Sequence, residues 1–346
     1  MRRLLLLVMI CTLLTMPVCA MEFTAPAAPE SAEELMPADT ESFGEGVMLI
    51  LRRALSAVHP EIAEAGAVCL AVIAIVMLCG LLKQIPGAAE ETVEFAAVVG
   101  IGIALIGRST TLIRLASDTV RELSEYGRML LPVLTAALAA QGGTVTAGVL
   151  YGGTAAFNAL LSSLISNLLV PMVYMFLGLS VASGAMGEGG PAKVKDLVKW
   201  LLTWTLKIVL YVFTGYLAIT GAVSGTADAM AVKVTKITIS SVVPVIGGIL
   251  SDASETVLIG AGIMKNTTGV YGLLTVLAVL IAPFLKIGVQ YLLLKATGVI
   301  CAVFRIKKIS GLIDDFAAAM GHLLGMTGTV SALLLISTVC FMKVVT

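Results

Sequence analysis

Two carboxylates and an ammonium stand where an apolar chain has least room for them. Asp252 and Glu255 lie in "LSDASETVL", and Lys286 sits near the middle of an apolar run. Ionisable groups at bilayer depth are costly and turn towards a bundle interior or water, so these three are candidates to line or brace a polar pathway. A competing reading leaves both carboxylates at the membrane interface and lets Lys286 reach that interface along its own stem. Other chemistry is thinly represented. No GxxxxGK[ST] phosphate loop occurs, and Gly100, Gly102 and Gly107 lack the dinucleotide fingerprint spacing. The two histidines are His59, which precedes Pro60, and His322, about one helix face from Asp315; two such residues make no metal site. Cys69, Cys79, Cys301 and Cys340 all sit in apolar runs and read as small hydrophobes. No catalytic constellation, cofactor or nucleic-acid site is expected.

The elements that hold these residues follow from composition. Of 346 residues 58% are hydrophobic and 13% charged, against about a quarter charged in a soluble domain. The fold class expected is an all-α polytopic membrane protein. Six spans are read at Ala65–Leu82, Thr92–Gly107, Phe157–Ala182, Trp200–Ala222, Val270–Leu294 and Met326–Val345, near the ~20 residues that cross a bilayer as helix. Residues 1–20 have the form of a secretory signal: Arg2 and Arg3, an apolar core Leu4–Leu14, then Val18-Cys19-Ala20. Beyond it, Glu22–Glu45 carries seven carboxylates and no base and reads as a disordered extracytoplasmic tail. The lysine-bearing loops Gly184–Lys199 and Arg305–Ser310 read as cytoplasmic. Gln84–Glu91 falls on the same side, although it holds Glu90 and Glu91 beside a single flanking Lys83.

Between the second and third spans the pattern changes. Leu112, Leu115, Ala116, Thr119, Leu123, Tyr126 and Leu130 recur at steps of three and four, the stripe of an amphipathic helix expected to lie along the membrane surface. Arg114 and Asp118, and Arg121 and Glu125, are spaced for i,i+4 pairs on its wet side. Next come two short apolar limbs, Pro132 in the first, joined at Gln141-Gly142-Gly143. A re-entrant hairpin fits their length; one ordinary span with a glycine kink is the alternative. The pattern returns 112 residues on. Pro132–Leu150 laid over Pro244–Gly262 matches at 6 of 19 positions, among them Pro132/Pro244 and Gly148/Gly260. Basic loops at corresponding places make this a parallel repeat, the arrangement in which interrupted segments point to a transport site. Pro132, Gly142, Gly143 and Pro244 therefore join Asp252, Glu255 and Lys286 as candidate hairpin or pathway residues. The expected organisation is a signal at 1–20, an acidic extracytoplasmic segment at 21–60, a first transmembrane hairpin at 61–112, and repeat units at 113–224 and 225–346.

Three stretches carry a family resemblance: "GRSTTLIRLASDTVRELSEYGRMLLPVLTAALAAQGG", "SDASETVLIGAGIMKNTTGVYGLL" and "KISGLIDDFAAAMGHLLGMTGTVSALLL". Over Phe43–Val345 the chain resembles the stage III sporulation protein AE family of endospore-forming bacteria. The resemblance implies a multi-pass protein of the mother-cell membrane facing the forespore, part of a channel or secretion-like complex between the two cells. It implies partners among other stage III sporulation proteins, including a separate ATPase and ring-forming subunits, with membrane lipid around the chain and a homo-oligomer as one form of assembly. It implies no catalytic residues. The alternative function is a self-contained secondary transporter that moves a small solute through a site between the two repeats.

Overall fold

The structure, a computed structural model, describes residues 25–37, 43–85, 89–140, 144–187, 189–219, 267–304 and 306–344. Pro244, Asp252 and Glu255, the glycines Gly142 and Gly143, and the signal lie outside the described residues. What is described is helical. A single turn, α1 (Glu30–Glu33), precedes α2 (Phe43–Leu82), α3 (Glu90–Ala140) and α4 (Thr144–Leu164); a π-helical turn (Ile165–Leu169) joins α4 to α5 (Val170–Met186); then come α6 (Gly190–Ile219), α7 (Thr267–Ala302) and α8 (Lys307–Val344). The π turn stands directly before Pro171, whose ring cannot fit under the carbonyl four residues back in a regular α-helix; a widened turn relieves that clash. Six helices are long and apolar enough to cross a membrane, Phe43–Leu82, Glu90–Leu138, Ala147–Met186, Gly190–Leu217, Thr268–Ala302 and Lys307–Met342. Each contains one expected span, apart from the last few residues of Trp200–Ala222 and Met326–Val345.

The helices are longer than expected, and that corrects three expectations. The amphipathic stretch is not a separate helix lying on the membrane. It is the middle of α3, whose 51 residues reach about 76 Å at 1.5 Å each. Its stripe is buried, with Leu115 partly so, but against protein: Leu130 meets Gly272 of α7 and Gly127 meets Leu334 of α8. Periodicity shows that a face is covered and not by what. The ion pair on its wet side is Arg121–Asp118 at 3.8 Å, an i,i+3 contact, in place of the two expected i,i+4 pairs. Nor are the limbs of the first hairpin short: one is the end of α3, which runs through an exposed Pro132 to Ala140, and the other opens α4 and continues through the π turn into α5. Finally, 25–37 is not a free tail. Ala32 and Leu35 are buried, Ser31 donates to the Glu122 carboxylate, and Arg53 donates to the carbonyls of Glu34 (3.0 Å) and Met36 (2.8 Å). The positions 60/61 and 112/113 fall inside α2 and α3, which run through them unbroken.

α8 fills the middle. Nearly all of its apolar stretch is buried, whereas most of the corresponding stretch of α6 is exposed. It touches α7, α3, α5, α4 and α6. Most of its hydroxyls survive there by bonding within the helix, Thr329 to the Gly325 carbonyl at 2.7 Å, Ser337 to Leu333 at 2.6 Å and Thr338 to Leu334 at 2.8 Å, whereas Ser331 is buried without a partner among the described residues. His322 is a core residue on the same helix, buried edge-on to Phe176 with ring centroids 6.2 Å apart.

Candidate functional site: a charge cluster joining three helices

Lys286 has a partner the sequence reading did not name. Its Nζ lies 3.0 Å from Oε1 of Glu61 on α2. The other oxygen of Glu61 takes Nη2 of Arg108 on α3, and Nη1 of Arg108 reaches Glu64 at 2.7 Å. Two carboxylates and two cations thus tie α2, α3 and α7 together. The side chains of Glu61, Arg108 and Lys286 are 21%, 14% and 30% exposed, enough to keep some solvent contact and too little for ordinary surface pairs. Glu61 is the hub, since it alone holds two cations. Glu61 and Glu64 are one turn apart and so share a face of α2. Arg108 is a bidentate fork that suits two carboxylates at once.

The cluster's position is informative. Glu64 immediately precedes the apolar run Ala65–Leu82, and Arg108 immediately follows Thr92–Gly107. On one side of it α2 and α3 expose Leu70, Met77, Leu78, Phe95 and Ile103. On the other they expose Arg52, Arg53, Arg114, Asp118, Arg121, Glu125 and Arg128. The cluster lies where these two helices pass from an uncharged exposed surface to one that mixes charged residues with apolar ones such as Met48, Leu55 and Met129. α7 does not change with them, because residues 272–280 beyond the cluster are buried without a break. Glu61, Glu64 and Arg108 were missed by sequence reasoning, although their positions flanking the first two spans were the available signal.

A second set of charges closes the opposite end of the bundle. Lys83 bonds Glu90 at 2.8 Å and also Glu94; Lys308 lies 3.4 Å from Glu94, Lys195 2.7 Å from Asp315, and Lys295 2.7 Å from Asp314. Burial alone would lower the Lys83 ammonium; its paired carboxylates, Glu90 and Glu94, outweigh this and hold it above the ordinary lysine value. The three loops expected in the cytoplasm therefore share one end. Of the acidic residues that made the first of them anomalous, Glu90 is paired with that loop's own Lys83, and Lys308 from a distant turn reaches the neighbouring Glu94. Beyond the Glu61 cluster, on its side away from these loops, Asn158 on α4 donates to the Ser124 carbonyl of α3 at 3.1 Å, and Tyr216 of α6 donates to the Val149 carbonyl of α4 at 2.7 Å. Among the described residues no group of three or more His, Cys, Asp or Glu side chains is gathered that could hold a metal ion.

A bundle of six membrane-length helices, with ion pairs across its helices and a buried central helix, defines a multi-pass all-helical membrane protein. Residues 36–344 match the family described as Stage III sporulation protein AE (spore_III_AE), and the chain belongs to that family. It is similar to "Stage III sporulation protein AE" of Bacillus subtilis (strain 168), 23% identical over 242 residues, which is 68% of this chain and 61% of that relative. The chain thus spans about three-fifths of the curated relative's length. No solved structure matches.

Proposed function

We propose that the protein is a non-catalytic membrane subunit of the complex that connects the mother cell to the forespore during endospore formation, with a structural or conduit role. It sits in the mother-cell membrane that faces the forespore. Family membership supplies the sporulation role. The observation that carries the subunit reading is the filled centre of the bundle. α8 is packed on all sides by α3–α7, so the described helices leave their axis to side chains, and a conduit made with them runs between chains. The other stage III sporulation proteins, a separate ATPase and ring-forming subunits among them, are the partners. Lipid surrounds the apolar belt, and further copies of the chain are the neighbours that complete a wall. Copurification from sporulating cells tests this: recovery of the other stage III proteins is expected, and recovery of the chain alone refutes it.

The half-buried Lys286–Glu61 pair favours the second reading, a secondary transporter with Asp252 and Glu255 in its pathway. Purified protein in liposomes distinguishes them. Unaided movement of a small solute, abolished by Asp252→Asn or Glu255→Gln, establishes the transporter and removes the scaffold reading.

A further inference from the structure

α6 is the least covered of the six membrane-length helices, and its open side is positively charged. Lys193, Trp200, Trp204, Lys207 and Tyr211 follow one another at steps of seven, four, three and four. At 100° per residue they fall within about 60° of one another, a single stripe. All five are exposed, and the two indole rings lie 5.7 Å apart along the stripe. The helix carries four lysines and one acid, Asp196. Lys195 is taken by Asp315 of α8. Lys193, Lys199 and Lys207 lie in no ion pair among the described residues, so three lysines face outwards against one carboxylate. From Trp200 to Ile219 the single charge is Lys207. The other open apolar runs differ: Ala65–Leu82 of α2 and Phe95–Gly107 of α3 expose Leu70, Met77 and Ile103 and hold no charge at all.

An ammonium on the open side of a membrane helix needs an anion or water within reach of its stem. Lys193 and Lys207 stand 14 residues, about 21 Å, apart along the axis. That is less than the ~30 Å of hydrocarbon, so the two stems reach towards opposite leaflets. Indole and phenol rings favour the same headgroup level. A phospholipid satisfies both halves of the stripe: its phosphate takes a lysine, and its acyl chains lie across the tryptophans. Charge selects among occupants. The same face of a second copy would set lysines against lysines. A free phosphate would leave the indoles uncovered. A zwitterionic lipid offsets its phosphate with its own ammonium, whereas an anionic lipid does not.

We propose that this stripe of α6 binds anionic phospholipid, with headgroup phosphates on Lys193 and Lys207 and acyl chains across Trp200 and Trp204. The site is the same whether the chain is a subunit of a complex or a transporter.

Trp200 and Trp204 are the two tryptophans of the chain, so its tryptophan emission reports on this stripe alone. The full-length protein is placed in vesicles of phosphatidylcholine and phosphatidylglycerol in equal amounts, one or the other bearing brominated acyl chains that quench indole on contact. Brominated phosphatidylglycerol is expected to quench as though enriched about fivefold at the stripe. The enrichment should fall towards one when Lys193→Gln is combined with Lys207→Gln. It should fall likewise in the unaltered protein as salt is raised, a measurement that needs no variant to fold. Equal quenching by the two lipids overturns the proposal, as does an enrichment that survives high salt or, in folded protein, the double substitution. Emission that neither brominated lipid quenches overturns it in favour of a stripe covered by protein.

Discussion

Glu61 is the residue whose loss the cluster should feel most. Glu61→Gln keeps the volume and removes the charge that holds both Arg108 and Lys286. Arg108 retains Glu64 at 2.7 Å, but Lys286 is left without an anion at 30% exposure. Breaking a fully buried pair costs about 3–5 kcal/mol and an exposed one at most about 1 kcal/mol. The intermediate burial places Glu61→Gln at about 2 kcal/mol, roughly a 30-fold shift in the folding equilibrium. Lys286→Met should cost less, about 1 kcal/mol, because Glu61 keeps Arg108 and the methionine stem still packs. In the double variant the uncompensated ammonium is gone, so its cost should fall below the sum of the singles. Unfolding in mixed micelles, followed by circular dichroism, reads all three. The reasoning fails if Glu61→Gln costs no more than Lys286→Met, or if the two costs add without coupling.

Other perturbations have equally definite outcomes. Gly153→Ala drives a methyl into the Tyr216 ring and should separate α6 from α4, whereas Tyr216→Phe only removes the hydrogen bond to Val149 and should cost about 1 kcal/mol, both read by thermal melting in detergent. Gly127→Ala crowds Leu334 and should destabilise by about 1–3 kcal/mol, with part of the loss recovered by adding Leu334→Val; no recovery would mean that the contact is not the cause. Arg53→Ala removes both bonds to the Glu34 and Met36 carbonyls and should raise the rate of proteolysis within 25–37 several-fold while the helices stay protected.

Much of the fold could be read from residues alone because apolar length is a strong signal in a chain with so few charges. The buried stripe of α3, from Leu112 to Leu130, was legible residue by residue. What covers it was not. The same spacing serves a helix on lipid and a helix on protein, and only the contacts with Gly272 and Leu334 distinguish them. α7 read as one membrane span, and its helix is long and apolar enough for one, but that its residues 272–280 are enclosed by other helices was not legible. The site was half legible. Lys286 stood out as an ion in an apolar run, but its partner is 225 positions away in sequence, and no local spacing reveals a pairing of that range. Glu61 and Arg108 looked like ordinary flanks of spans. The lysine that joins Lys83 beside the loop Gln84–Glu91, Lys308 on Glu94, arrives from far along the chain and has no local signal.

The buried position of α8 bears on how the protein is made. Lys307–Val344 is the last of the described helices, and it is in contact with every helix from α3 to α7. Until it arrives, α3, α5 and α7 have inward faces with nothing to close on, and α3 alone spans far more than a bilayer. α7 can pack on α2 and α3, and α3 on α4, before it, but the faces that meet α8 stay open until it is in place. A chain that stops short of that segment is not a smaller version of the protein but one that exposes its interior to the quality-control proteases of the membrane.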